Sequence, residues 1–211
     1  LELAAKVAPL PGLELVGIMG YEGHLLTIPD LAEKEEKIHQ ALGVLVDAAS
    51  SLKDAGYCCD IVSCGGTGSY VYGCSHPGIT EIQAGGAIMM DQFYRNQCNI
   101  QNLGHALTVL VTVVSRPTPG RAIIDAGRKT FHADSEPAVV VGRDDIHVVR
   151  LSAEHGELEL EPSAQDLKIG DRLEIIPGYS DMTTVLHDQF YGFRGDYLEV
   201  IWPLEGRGRL Q

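Results

Sequence analysis

The chain has 211 residues, 45% of them hydrophobic and 21% charged, with a formal net charge of -13. That size suits one domain with a sizeable core, or a small domain plus part of another. The acidity argues against a nucleic-acid binder, which needs a basic face to neutralise phosphates, and no apolar run reaches the length of a membrane span. A phosphate held by backbone N–H groups is still possible.

In chain order, residues 1–8 read as a helix stopped by Pro9 and Pro11–Gly12. It opens at Leu1 with no capping residue before it, so the expectation is a processed piece of a longer protein. Residues 13–19 form an apolar run that leads into Gly20-Tyr21-Glu22-Gly23-His24. A long helix is predicted over 31–56, with Ile38, Leu42, Leu45, Val46 and Ala49 at helical spacing. Short strands are expected over 60–63 and 79–83, each followed by glycines. This strand–helix–strand order is that of parallel βα units. From residue 106 the pattern changes to strands alone: 106–115, 121–124, 138–141, 147–152, 157–160, 172–176 and 197–202, divided by Gly, Pro and Asp turns. Such spacing predicts a small β-barrel or sandwich. The division is therefore 1–100, βα units, and 101–211, a β-domain.

The five cysteines, Cys58, Cys59, Cys64, Cys74 and Cys98, are odd in number and contain no CxxC pair. Reduced thiols in a cytoplasmic protein are expected, not a zinc ribbon or a secreted disulfide framework.

Three loops carry candidate chemistry. Cys64-Gly65-Gly66-Thr67-Gly68-Ser69 follows a strand. Its glycines let backbone N–H groups approach a phosphate, and Thr67 and Ser69 add hydroxyl donors. It is neither a Walker loop nor GxGxxG, and a plain tight turn is the alternative. Ala84-Gly85-Gly86 after the next strand could grip the same phosphate. Tyr21 and His24 suit proton chemistry or packing against a planar cofactor, or are incidental loop residues. In Pro177-Gly178-Tyr179-Ser180-Asp181, with His187-Asp188 beyond it, the carboxylates and imidazole could hold a divalent ion. Solvated turn residues would look the same.

Taken in order, Tyr21-Glu22-Gly23-His24, Gly65-Gly66-Thr67-Gly68, Thr80-Glu81-Ile82-Gln83-Ala84-Gly85, Asp91 with Tyr94, Glu154-His155-Gly156, Pro177-Gly178-Tyr179-Ser180-Asp181, His187-Asp188 and Trp202-Pro203 resemble the D-threonine aldolase and D-serine dehydratase family. The resemblance implies the C-terminal part of an alanine-racemase-like (β/α)8 barrel that binds pyridoxal 5'-phosphate (PLP), followed by the β-domain. It implies a lyase acting on D-3-hydroxy amino acids, by loss of either the Cα–Cβ bond or the β-hydroxyl. PLP would supply the electron sink, and a divalent Mn, Zn or Mg would engage the hydroxyl. Gly66, Thr67, Gly85 and Gly86 would hold the phosphate, with Tyr21 and His24 beside the cofactor. Lys6, Lys34, Lys37 and Lys53 fall on helical stretches, and Lys129 and Lys168 lie in the β half. The cofactor lysine is thus expected in an N-terminal remainder of the same enzyme, without which this piece is inactive. A homodimer is implied as well.

The sequence departs from the family pattern at one place. Members carry His, one residue, then Cys or Asp at the metal site, and here the first position is Tyr179. A neutral tyrosine, with an ordinary pKa of about 10, is a poor divalent ligand. Asp181 and His187 remain the candidate metal ligands, and Tyr179 and His24 the candidate catalytic groups. The alternatives are a non-catalytic PLP-binding or regulatory relative with a degenerate metal site, and an acidic, β-rich interaction module.

Overall fold

The computed structural model describes residues 1–209, which form two compact units. One comprises Leu1–Ile88 with Tyr94–Asn102, and the other Met89–Phe93 with Leu103 onward.

The first unit is built on three parallel strands in the order β1 (Gly17–Gly20), β2 (Ile61–Cys64), β3 (Glu81–Ile82). A short helix α1 (Glu2–Val7) precedes them. Helix α2 (Leu31–Asp54) joins β1 to β2. Its start is set by Asp30, whose side chain accepts the Glu33 N–H at 2.9 Å, an N-cap that satisfies one of the orphan donors of the first turn. Its buried face carries Lys34, Ile38, Leu42, Ala49 and Leu52. Ala49 and Leu52 pack with Ala4, Cys59 and Val62, while Ile38 and Leu42 pack with Cys64. A helix periodic in this way buries one stripe against the sheet. A single turn, α3 (Tyr70–Gly73), follows the glycine loop.

The second unit is a closed six-stranded barrel in the order β4-β5-β8-β7-β6-β9. Its strands are β4 (Val109–Thr118), β5 (Arg121–Ile124), β6 (Val139–Val140), β7 (Ile146–Leu151), β8 (Gly156–Leu160) and β9 (Arg172–Ile176). Every pairing is antiparallel. Alternation fills the interior: Val109, Val111 and Val113 of β4 point in, together with Ala122, Ile124, Leu158, Leu160, Leu173 and Ile175 around Phe131. Closure removes free strand edges, so this unit is a barrel and not a sandwich. Beyond it lie a short helix α4 (Ser180–Thr184) and an antiparallel hairpin, β10 (Gln189–Arg194) and β11 (Tyr197–Pro203).

Candidate functional site

In the parallel unit, register aligns the three strand ends. Gly20 pairs with Cys64 and Cys64 with Ile82. The loops carrying Tyr21 and His24, Gly66 and Thr67, and Gly85 and Gly86 therefore leave the sheet side by side. Ligands of α/β folds bind at such carboxyl ends, where loops vary over a rigid sheet.

The middle loop is buried from Gly65 to Ser69. Gly65 has φ +71°, a left-handed conformation that glycine adopts without strain. A Cβ on Gly66 would lie 3.2 Å from the Tyr21 ring, so that ring stands directly over the loop. The Ser69 hydroxyl donates to Glu22 Oε1 and accepts the Gly66 N–H at 3.4 Å. Its proton is committed, so Ser69 is not the second hydroxyl donor that the loop sequence suggested. Thr67 is different. Its Oγ1 is buried and has no hydrogen-bond partner among the described residues. An unsatisfied buried hydroxyl costs about 1–3 kcal/mol, and it marks a place for an acceptor from outside the chain. A phosphate oxygen is such an acceptor. The phosphate end of PLP therefore fits the residues present.

The other candidates in this unit are less tightly arranged. Gly86 backs onto Tyr94, whose ring a Cβ would meet at 2.6 Å, whereas a Cβ on Gly85 would meet nothing within 4 Å. His24 is exposed in the 3-10 turn Gly23–Leu25. The Cys64 thiol is pushed up to about 11, first by burial, then by the Glu22 carboxylate and by Cys74. It stays protonated near neutral pH and is no nucleophile. Lys6, Lys37 and Lys129 pair with Glu2, Glu33 and Glu154.

In the barrel unit, the Pro177–Asp181 turn is knitted to its surroundings. The Pro177 and Gly178 carbonyls accept the Gln92 and Phe93 N–H groups at 3.3 and 2.9 Å, and the Gly178 N–H donates to the His132 carbonyl at 2.8 Å. The Ser180 N–H donates to the buried Asp91 carboxylate at 2.7 Å. Thr183 Oγ1 donates to the Tyr179 carbonyl at 2.8 Å and accepts the His132 N–H at 3.0 Å. The Tyr179 ring contacts Phe93 and His132, with centroids 5.1 and 6.3 Å away. Its hydroxyl is thereby delivered to Asp181 Oδ2 at 2.8 Å. His187 does not join this pair through its Nε2, which lies 2.7 Å from the Thr130 carbonyl. A carbonyl accepts only, so that nitrogen carries a proton and is no ligand. Among the described residues no three His, Cys, Asp or Glu side chains are grouped to hold a metal ion. The side chains present do not fit a divalent centre, and no chemical step is assigned to one.

The roles of Glu22 and Asp91 were not visible in the sequence. Each is a buried carboxylate that fixes a loop element distant in sequence, Ser69 in one case and Ser180 in the other.

Among the described residues no helix is long and apolar enough to cross a membrane. Residues 106–193 match the family described as "Putative serine dehydratase domain". A 3-hydroxy-D-aspartate aldolase of Paracoccus denitrificans (strain Pd 1222) is 32% identical over 99% of this chain and 55% of its own length. A D-threonine aldolase of Arthrobacter sp. is 33% identical over 99% of this chain and 55% of its own. The crystal structure of D-threonine aldolase from Filomicrobium marinum superposes with a TM-score of 0.92 at 31% identity, covering 100% of this chain and 58% of that one. The chain thus spans little more than half the length of the relatives it matches. On matched sequence and shared fold together, it belongs to the D-threonine aldolase and D-serine dehydratase family.

Proposed function

We propose that this chain is part of a PLP-dependent lyase that cleaves or dehydrates D-3-hydroxy amino acids. The observation that carries the proposal is the buried, unpartnered Thr67 hydroxyl in a glycine loop at the carboxyl end of a parallel sheet. When bound, PLP supplies the electron sink for breaking the Cα–Cβ bond or expelling the β-hydroxyl. Gly66, Thr67, Gly85 and Gly86 hold its phosphate, and Tyr21 covers the loop. His24, exposed beside Tyr21, is the candidate proton carrier of this unit. In the barrel unit, Tyr179 and Asp181 form a hydrogen-bonded pair suited to engaging a substrate hydroxyl, since the phenol donates and the carboxylate accepts. By the family resemblance, the lysine that would hold the cofactor aldehyde is assigned to another part of the enzyme. Cysteines outside any disulfide fit a reducing compartment such as the cytoplasm. The exposed Tyr191, Phe193, Ile201 and Trp202 of the hairpin support a homodimer.

The test is incubation of the complete enzyme, including the part that carries the cofactor lysine, with PLP and D-threonine or D-serine. Glycine with acetaldehyde, or pyruvate with ammonia, is the expected outcome. The family resemblance motivates a second reading, a PLP-binding relative without catalysis, because it sets Tyr179 where family members carry a metal-ligand histidine. Cofactor binding without turnover of any D-3-hydroxy amino acid would decide for it.

A further inference from the structure

Lys34 lies in phase with the apolar stripe of α2 and is 1% exposed. Its Nζ donates to the Cys98 carbonyl at 2.7 Å and stands 6.0 Å from the centroid of the Tyr72 ring. Among the described residues no carboxylate lies within ion-pair distance of it, although every other lysine pairing goes to a glutamate. A buried ammonium without a counter-charge is costly, because one carbonyl and one ring replace little of its hydration. Both partners adjoin the glycine loop. Cys98 Sγ lies 2.9 Å from where a Cβ on Gly68 would sit. Tyr72 belongs to α3, which begins where the loop ends.

We infer that Lys34 is a positioning residue for the anion site: it supports the loop through Cys98 and supplies, from behind, the positive charge that a phosphate bound at Gly66 and Thr67 answers. The inference rests on the cradle reading above and adds to it the counter-charge. Through the low-dielectric interior a unit charge still acts over several ångströms. Burial lowers the Lys34 ammonium below the ordinary lysine value of 10.5, and Cys98 opposes that shift. Affinity for phosphate is then highest at neutral pH and falls as pH rises through the lowered value toward 10.5. Beside it stand Tyr72 and Cys98, with Glu35 the next residue on the same helix; Glu22 and Cys64 belong to the strand ends that carry the loop. Tyr72 is raised, by burial and then by Glu35, and Cys64 is pushed up to about 11, so both stay neutral over most of this range.

The test is calorimetric titration of the protein with inorganic phosphate, from neutral pH upward, in wild type, Lys34→Arg, Lys34→Gln, Lys34→Met and Cys98→Ala. Lys34→Gln keeps a donor for the Cys98 carbonyl and removes the charge. Lys34→Gln and Lys34→Met should each bind about tenfold more weakly at neutral pH and lose the decline at high pH. Lys34→Arg should keep the affinity but also lose the decline, because a guanidinium stays charged, and Cys98→Ala should retain both. Equal affinity and an unchanged profile in Lys34→Gln and Lys34→Met would overturn the inference and leave the cradle standing. A profile abolished by Cys98→Ala would assign it to the thiol and overturn the inference too. If wild type binds neither phosphate nor PLP, the cradle reading and this inference fall together.

Discussion

Replacing Thr67 by valine should change stability and binding in opposite directions. In the ligand-free protein the Thr67 hydroxyl is 2% exposed and has no partner among the described residues. Valine fills nearly the same volume without the unsatisfied group, which by itself costs about 1–3 kcal/mol. Taking the lower half of that range, Thr67→Val should stabilise the free protein by about 1–2 kcal/mol. For a chain of this size that raises the melting temperature by about 2–8 °C. A hydrogen bond from this hydroxyl to a phosphate is worth about 1.5–3 kcal/mol, so the variant should bind PLP roughly 10- to 150-fold more weakly. At a PLP concentration about 100 times the wild-type dissociation constant, wild type gains about 2.7 kcal/mol. A variant weakened thirtyfold gains roughly 0.9 kcal/mol at the same concentration. The two melting curves, separated without cofactor, should therefore converge or cross when it is added. The assay is thermal unfolding of both proteins with and without PLP, with Thr67→Ser as the control that keeps the hydroxyl. A Thr67→Val protein that melts lower than wild type without ligand and binds PLP equally well would refute the reasoning.

Other substitutions separate the loop's fold from its function. A methyl group at Gly66 would meet the Tyr21 ring at 3.2 Å; that ring is exposed and can swing aside. Gly66→Ala should thus cost less than about 1 kcal/mol in denaturant unfolding while weakening PLP binding several-fold in an absorbance titration. Gly178→Ala is the contrasting case, because its Cβ would lie 2.0 Å from the Glu136 carbonyl oxygen, and backbone cannot swing aside. A loss of about 3 kcal/mol is expected, and a loss near zero would mean that the turn is not packed as described. Tyr179→Phe keeps the ring contacts to Phe93 and His132 but removes the hydroxyl that donates to Asp181. Stability should stay within about 1 kcal/mol, whereas turnover of D-3-hydroxy amino acids should fall at least about tenfold. Unchanged kinetics would remove Tyr179 from the chemistry.

Much of the fold was legible because local pattern and tertiary fate agree. The strands over 121–124 and 172–176 have the expected bounds, since alternating aliphatic residues are closed off by turn residues on both sides. The order of the barrel was not legible, because register between strands is a non-local property. Strand β10 was missed for a specific reason. Gly192 interrupts its aromatic run, and the break is compensated across the ladder, where the Trp202 ring lies 2.8 Å from the place of a Cβ on Gly192. The short α4 and the π-helical turn Phe93–Gln97 carry no strong local signal.

The site divides in the same way. Glycines at strand ends were visible, but the commitment of Ser69 to Glu22, 47 residues away, was not. Nor was the contact of His187 with the Thr130 carbonyl, 57 residues away. Lys34 did leave a trace: it sits one turn before Ile38, on the apolar face of a helix whose stripe was already identified.

As proposed, the strand-end loops of the parallel unit grip the phosphate of PLP. Equilibrium binding of pyridoxal 5'-phosphate and of pyridoxal, which shares the ring and aldehyde but lacks the phosphate, tests it most directly. PLP should bind at least about tenfold more tightly than pyridoxal, and Thr67→Val should narrow the difference. Equal affinity for the two, unaffected by Thr67→Val, would contradict it.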